Sequence, residues 1–535
     1  MILLAATVDQ YLIPIITVGL YLGLLLVFGW LGHVYSKANS EEDYYLAGRG
    51  QGWLISSMTI MATFFSSFAL LGAPGMVYRE GVVFALVSLN VPVAGFCVYL
   101  LGNRIRQAGH RGNYVTQADM LCEHYNSPIL LRLLITLVGF LFAIPYIMMQ
   151  LKAGGDLAAV LFSDFPNAFE VGAVVLSIIT ALYIMIGGMR SVAWTDALQC
   201  LLLTSGMVLA GVALVSQMGG PGQFLKRVES LPDSSLTVPG NTGFWQIPML
   251  FSICVLMPIG GIIQPAQWMR FYSARNAQAL RRSALLFIVV LTGCYVFAIM
   301  PVGLGGQVLY PLQLGENGVA PNAAVGTYDQ ILVVLLQETL PSLFGPQLGL
   351  IVSSLMVVAI MAAAMSTADS NLHALSAIVT RDLYVKLLRP NSSEAERLNV
   401  GRIVIIAATG ISLVFVLLGS TPDSPFAGFM EMIVGLALFA VAFSVQLLPM
   451  TLDVLFFRRG SKWGAILGLT VGLAIAFSMT TLFQPFIITL SDADAQVLRW
   501  VKHAKAAIPV HASAWGLTAN SLVFIALARW RKRSL

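Results

Sequence analysis

IVSSLMVVAIMAAAMSTADSNLHALS, residues 351 to 376, begins as a membrane helix and then changes character without ending. No charge occurs from Ile351 to Met365, after which Ser366, Thr367, Asp369 and Ser370 fall within five positions. In a continuous helix Ala363, Ser366, Thr367, Ser370 and Ala374 lie at i, i+3, i+4, i+7 and i+11, on one stripe. Asp369 sits beside that stripe and His373 follows one turn on. The plain alternative is that the helix leaves the membrane here, since Arg381 and Asp382 follow. Yet NLHALSAIVT (371–380) holds neither Gly nor Pro and keeps helical spacing, so Asp369 falls well short of the helix end. A carboxylate at that depth is costly and marks a functional position. Hydroxyl and carboxylate oxygens suit a hard cation, and the spacing favours an ion site.

The remainder of the chain is of the same kind. Of its 535 residues 58% are hydrophobic and only 10% charged, with a mean hydropathy of +0.82, far from the balance of soluble domains. Uncharged apolar runs long enough to cross a bilayer recur along its length. About thirteen transmembrane helices are expected, near 11–32, 52–77, 82–102, 130–160, 169–188, 197–217, 246–269, 284–305, 347–379, 402–420, 426–450, 463–482 and 508–529. The expected class is an all-α polytopic membrane protein embedded in a lipid bilayer. The first run lacks a basic leader and a small-residue cleavage site, so it reads as a retained span.

The Lys/Arg distribution supports that count. One set of alternate loops holds Lys37 and Arg49; Arg104, Arg106 and Arg111; Arg190; Arg270, Arg275, Arg281 and Arg282; and Arg381 to Arg402. It continues through Arg458, Arg459 and Lys462 to the tail at Arg533. The opposite loops hold only Arg79, Lys226, Arg227, Arg499, Lys502 and Lys505. By the positive-inside rule the rich set is cytoplasmic, which puts the N-terminus outside and the C-terminus inside. The net charge of +5 is therefore loop topology, and no nucleic-acid partner is inferred.

Other classes are argued against by what the sequence lacks. The five cysteines (Cys97, Cys122, Cys200, Cys254, Cys294) are scattered and mostly within apolar spans, a packing pattern. No GxxxxGK[ST] loop, GxSxG or HExxH motif occurs, and the longest loops, near 218–245 and 306–346, are too short for a nucleotide-hydrolysing domain. Transport remains, and no enzyme activity is expected.

Polar residues inside the spans indicate its kind. WLISSMTIMATFFSSFALLGAPG (53–75) carries Thr63, Ser66 and Ser67 at its middle and ends in Gly72, Pro74 and Gly75. Such residues either let helices pack closely or mark a discontinuous helix whose carbonyls coordinate an ion. Lys152, in FAIPYIMMQLKAGGDLAAVLF (142–162), lies well inside a span, where an ammonium wants an anion. That anion is either Asp156, one turn on, or the substrate. Glu431 in FMEMIVG (429–435) is a further intramembrane carboxylate with no assigned role. Arg190 and Asp196 flank a short turn, GGMRSVAWTD (187–196), and read as interfacial structure.

Five stretches, in order and in register with the spans, resemble the sodium/solute symporter family, carriers of sugars, proline, sialate, pantothenate and monocarboxylates. They are DYYLAGRG (43–50), FALLGAPGMVY (68–78), GGMRSVAWTDALQ (187–199), QPAQWMRF (264–271) and MSTADSNLHALSAIVTRDLY (365–384). The resemblance implies one transporter domain over 1–535 with a core of five-plus-five inverted repeats. It would comprise a peripheral first helix (1–49), a first repeat (50–217), a second repeat (246–450) and two peripheral C-terminal helices (451–535). It also implies a sodium site built from the carbonyls of Ala62, Phe65 and Ala363 and the hydroxyls of Ser366 and Thr367. A second ion site in some members maps to Asp196, Ser366, Asp369 and Ser370, with Asp369 departing from the hydroxyl found there. The family's substrate pocket maps to Ser66, Ala69, Phe84, Ser88 and Lys152.

Sugar carriers have amide and carboxylate side chains at the positions of Ala69 and Ser88, which argues against a sugar. Sialate carriers hold the substrate carboxylate with a basic residue at about Lys152. The expectation is a sodium-coupled symporter, with Na+ as coupling ion, importing a small organic anion (a monocarboxylate or pantothenate-like) across a bacterial inner membrane. The alternatives are a proton-coupled carrier of the same fold, with Asp369 as proton site, or a transporter-like sensor. A sensor would carry an appended signalling domain, whereas the chain reaches Leu535 soon after its last span.

Overall fold

The computed structural model describes residues 2–35, 40–127, 129–162, 164–315, 318–421, 424, 432–480 and 495–533. Glu431 lies outside the described residues. Long helices dominate: α1 (Ile2–Val34), α2 (Trp53–Phe64), α3 (Phe68–Glu80), α4 (Val82–Gly112), α5 (Leu130–Leu161) and α6 (Ala168–Gln217). There follow α7 (Ile247–Ile262), α8 (Pro265–Ser273), α9 (Ala277–Leu309), α10 (Pro346–Leu388), α11 (Glu394–Gly419), α12 (Ile433–Phe457), α13 (Lys462–Ser478) and α14 (Ala512–Arg533). In lipid a helix satisfies its own backbone groups, which is why apolar runs of this length fold so. The described strands are a three-residue hairpin, Gln313–Gly315 with Gly318–Ala320.

Eight described helices are each long and apolar enough to cross a membrane, and three bent pairs raise the number to eleven. The 50-residue α6 holds two expected spans, because Gly188 breaks it at φ 57°, ψ −159°. With the shorter apolar α13, each of the thirteen expected stretches has a helical counterpart.

The elements recur in one order. A bent pair (α2–α3, 56°; α7–α8, 52°) leads into a long helix with a π-helical turn, Val98–Gly102 in α4 and Tyr295–Ile299 in α9. Each long helix is followed by a short one, Gln117–His124 or Ile331–Phe344, and then by three spans. The second bend departs from the expected continuous span at 246–269. Gln264 there accepts a hydrogen bond from Ala266 N at 2.7 Å, and Pro265 opens the next helix at its first position.

Burial locates the core. The apolar window of α12 is 78% buried and that of α10 67%, against 17% for α1. α1 lies outside, against α6 and α10, and α13 pairs with α14. Helices α2 and α8, one from each of the first two bent pairs, pack against each other and against α10 in the interior.

Candidate functional site

Helix α2 stops at Phe64, and Phe65 takes φ −95°, ψ 90°, turning its carbonyl out of the helical ladder. The broken backbone is held by side chains: Gln150 of α5 accepts from Ser67 N at 3.2 Å, and Ser66 Oγ accepts from Phe68 N at 3.1 Å. Irregular backbone at membrane depth persists only when buried in protein and satisfied in this way.

Helix α10 passes the break without interruption, and its hydroxyl pair faces it. Ser366 Oγ lies 3.2 Å from Ala62 O and 3.1 Å from Ala363 O, and Thr367 Oγ1 lies 3.1 Å from Ala62 O. All four residues are fully buried. Two carbonyls and two hydroxyls thus meet, with Phe65 at the edge of the same break. A set of uncharged oxygens out of contact with water fits a monovalent hard cation, to which the hydroxyl and carbonyl lone pairs would turn in place of these hydrogen bonds.

One helical turn beyond, the structure assembles an ionic cluster. The Arg270 guanidinium of α8 donates from Nη2 to Asp196 Oδ2 at 2.8 Å and to Ser370 Oγ. Its Nε reaches Thr59 Oγ1 at 2.9 Å and Thr59 O at 3.2 Å. Thr59 in turn donates to Asp196, and Thr63 Oγ1 lies 3.2 Å from Ser370 Oγ. Asp369 accepts from Tyr183 at 2.8 Å and from Ser370 Oγ at 3.1 Å. Below it, His373 is enclosed by the rings of Tyr44 and Tyr45, each with its centroid 5.4 Å away.

Two readings of the sequence change here. Arg270, grouped with the loop cations, is 1% exposed within the protein, and Asp196 is 0% exposed rather than interfacial. The bend at Gln264 turns α8 back into the protein and carries Arg270 with it.

Beside the break lies a small cavity, lined by Phe64, Phe65, Phe68, Asn90, Tyr146, Met257, Gly261, Tyr295 and Val441. It is drawn from both bent pairs and from α4, α5, α9 and α12. Asn90 is 1% exposed, and its amide lies beside the Tyr295 hydroxyl in the cavity lining. The five residues expected to hold substrate are not brought together around this cavity. Ser66 and Ala69 are buried in the broken pair, Phe84 packs edge-on to Trp245 at 5.1 Å, and Ser88 is half-buried.

Lys152 stands about 9 Å further along α5 from Tyr146, by six residues of helical rise. Its ammonium lies 2.5 Å from Asp156 and 3.0 Å from Asp329, and Asp329 also accepts from Ile433 N at 2.9 Å. Asp329, which no sequence motif singled out, thereby ties α5 to α12. At the other end of α5, Arg132 pairs with Asp119 at 3.2 Å and with Asp382 of α10. Nearby, the short helix Glu41–Leu46 is clamped by Arg381, Arg397 and Arg190. The cation site and the cavity therefore lie between two layers of buried ion pairs.

A model of the sodium:solute symporter family matches residues 44–472. Among curated proteins, the chain is 26% identical over 455 residues to the high-affinity proline transporter PutP of Bacillus subtilis, covering 84% of this chain and 88% of that one. It is 27% identical over 484 residues to the sodium/pantothenate symporter of Escherichia coli, covering 87% and 92%. Among solved structures, a Na+-coupled sialic acid symporter in its substrate-bound, outward-open state superposes with a TM-score of 0.73 at 18% identity, covering 97% of this chain and 98% of that one. Mhp1, a nucleobase-cation-symport-1 family transporter, gives 0.52 at 15% identity.

Proposed function

The chain belongs to the sodium:solute symporter family, and from that premise we propose that it couples sodium entry to import of a small organic carboxylate by alternating access. The observation that carries the reading is the meeting of Ser366 and Thr367 hydroxyls with the Ala62 carbonyl at the break of α2. With the Phe65 and Ala363 carbonyls these form the sodium ligand set. We take the two halves to be 50–217 and 246–450, each of which contains one bent pair.

A ligand shared between α2 and α10 biases whichever state brings those helices together, which is how binding becomes motion. A charge moved inward through about 100 mV gains roughly 2.3 kcal/mol, or about 50-fold accumulation per sodium.

For the cargo, the three relatives named for proline, pantothenate and sialic acid all carry carboxylates. The aromatic lining with one buried amide, Asn90, would suit an apolar body bearing one polar group once the site opens, since the closed cavity has room for only about one water. Lys152 is the cation nearest this space along α5 and would supply the anion contact, at the expense of one of its two carboxylate partners, Asp156 and Asp329. We assign the basic-loop face to the cytoplasm of a bacterial inner membrane, with the N-terminus outside.

The test is uptake by proteoliposomes of radiolabelled proline, pantothenate, sialic acid and short monocarboxylates, with and without an inward sodium gradient. Gradient-driven accumulation of one of them is expected, and equal uptake without sodium would overturn sodium coupling. The second buried carboxylate, Asp369, favours one rival, a proton-coupled carrier of the same fold. Uptake that persists without sodium and collapses with a protonophore selects it.

A further inference from the structure

A cleft of about 320 Å³ lies on the basic-loop face, between the short helix Gln117–His124, the start of α5 and the end of α10. We propose that it is a binding site for a soluble phosphate-class oxyanion, and that an occupant holds the adjoining layer of ion pairs shut. Its charged lining is Asp119, Glu123, Arg132, Arg381 and Lys386. The carboxylates are already engaged. Asp119 accepts from Arg132 at 3.2 Å, from Val115 N at 3.2 Å and from Thr116 N at 3.4 Å, while Glu123 is hydrogen-bonded to the Tyr114 hydroxyl. Asp382, on the same nitrogen of Arg132, also accepts from Thr116 Oγ1 at 2.9 Å. The donors are less fully used. Arg132 is 6% exposed and places both of its ion pairs on Nη1. Among the described residues its Nε, like that of Arg381, has no acceptor. Lys386 is exposed and forms no ion pair among the described residues.

The backbone explains why two of these cations share a wall. Residues 381 and 386 are five apart, which on an α-helix turns their side chains about 140° from each other. Helix α10 instead ends in a π-helical stretch, Val379–Leu388, whose i→i+5 ladder stacks residue 386 over residue 381. Such turns are rare and recur at functional sites. Three separate donor groups from two helices suit a tetrahedral oxyanion, and arginine and lysine are the side chains that recognise phosphate. The volume is that of a small-molecule site. No aliphatic side chain lines it, so it offers nothing to an acyl chain, which selects a soluble ion over a lipid headgroup. An ion bridging Arg132 to Arg381 and Lys386 joins α5 to α10 beside the Arg132–Asp382 pair and opposes the parting of that layer. This consequence, unlike the binding, rests on the alternating-access reading.

The test titrates the purified full-length protein calorimetrically with potassium phosphate, without sodium or cargo. One phosphate per chain is expected, and Lys386→Gln, which breaks no described ion pair, should weaken it by about ten-fold or more. Glu123→Gln, which withdraws a negative charge from the lining, should tighten it. No saturable binding, parental affinity in Lys386→Gln, or weaker binding in Glu123→Gln would overturn the site and leave sodium coupling untouched. For the layer, Met257→Cys in a Cys122→Ala background is labelled by an impermeant thiol reagent from the basic-loop side of membrane vesicles. Phosphate on that side should slow the labelling by about five-fold or more, and Lys386→Gln should remove the effect. Labelling that phosphate does not slow, while binding persists, would overturn its hold on the layer.

Discussion

A hydroxyl that ligates a cation contributes one oxygen, so Ser366→Ala and Thr367→Ala isolate the two oxygens that α10 offers to Ala62. Polar contacts to a charge are worth about 1.5–3 kcal/mol, so each variant should raise the sodium needed for half-maximal uptake by about ten-fold. Parental sodium titrations for both would move the site elsewhere. Lys152 requires a different design because it serves two carboxylates, Asp156 and Asp329. Lys152→Met alone strands both, at a cost of about 3–5 kcal/mol. Adding Asp156→Leu and Asp329→Asn should restore stability but not carboxylate uptake, if the ammonium binds substrate. Restored uptake in that triple variant would return Lys152 to a structural role. The legible residues were those whose meaning is local, the hydroxyls of 366–370 on one stripe of one helix. Asp329 and Arg270 carried no such signal, because their partners lie 177 and 74 positions away and each resembles a loop charge.

At the scale of elements, breaks were harder to read than helices. The break at Phe65 left a trace in the density of Ser, Gly and Pro, whereas that at Gln264 looked like one more turn of an apolar run. The difference is physical: the first break is propped by Gln150 from another helix, and the second is capped by its own Gln264 and Pro265. Gly188 is the third special point. Its φ of 57° with ψ −159° is nearly exclusive to glycine, and a Cβ there would meet Tyr44 Cδ2 at 2.7 Å and Tyr44 O at 2.9 Å. Gly188→Ala should therefore lower stability by about 1–3 kcal/mol from the backbone alone, with more from displacing the Glu41–Leu46 segment. The thermal midpoint of the purified variant checks this, and an unchanged midpoint would mean the segment yields freely.

For the whole molecule, the buried charges form one ionic layer toward each end of α5, which on the proposed alternating-access reading would be its two gates. Arg132, Asp119 and Asp382 close the end of α5 that faces the basic loops, and Lys152, Asp156 and Asp329 close the other. The alternation of loop charges supported the number of spans, but it could not reveal these layers, whose members are contributed by different helices. A carrier must release one layer at a time. Asp329 is the joint of its layer, since one carboxylate oxygen engages both Lys152 Nζ and Ile433 N. Asp329→Asn keeps the acceptor for Ile433 but gives up a charged hydrogen bond worth about 1.5–3 kcal/mol. The population open on the side away from the basic loops should then rise by about ten-fold or more. A cysteine replacing Met257, which lines the central cavity, reports that opening against a background of buried native cysteines. An impermeant thiol reagent applied from that side should label Met257→Cys about ten-fold faster when Asp329→Asn is present. Equal or slower labelling would show that Lys152 and Asp329 do not hold the outer side shut.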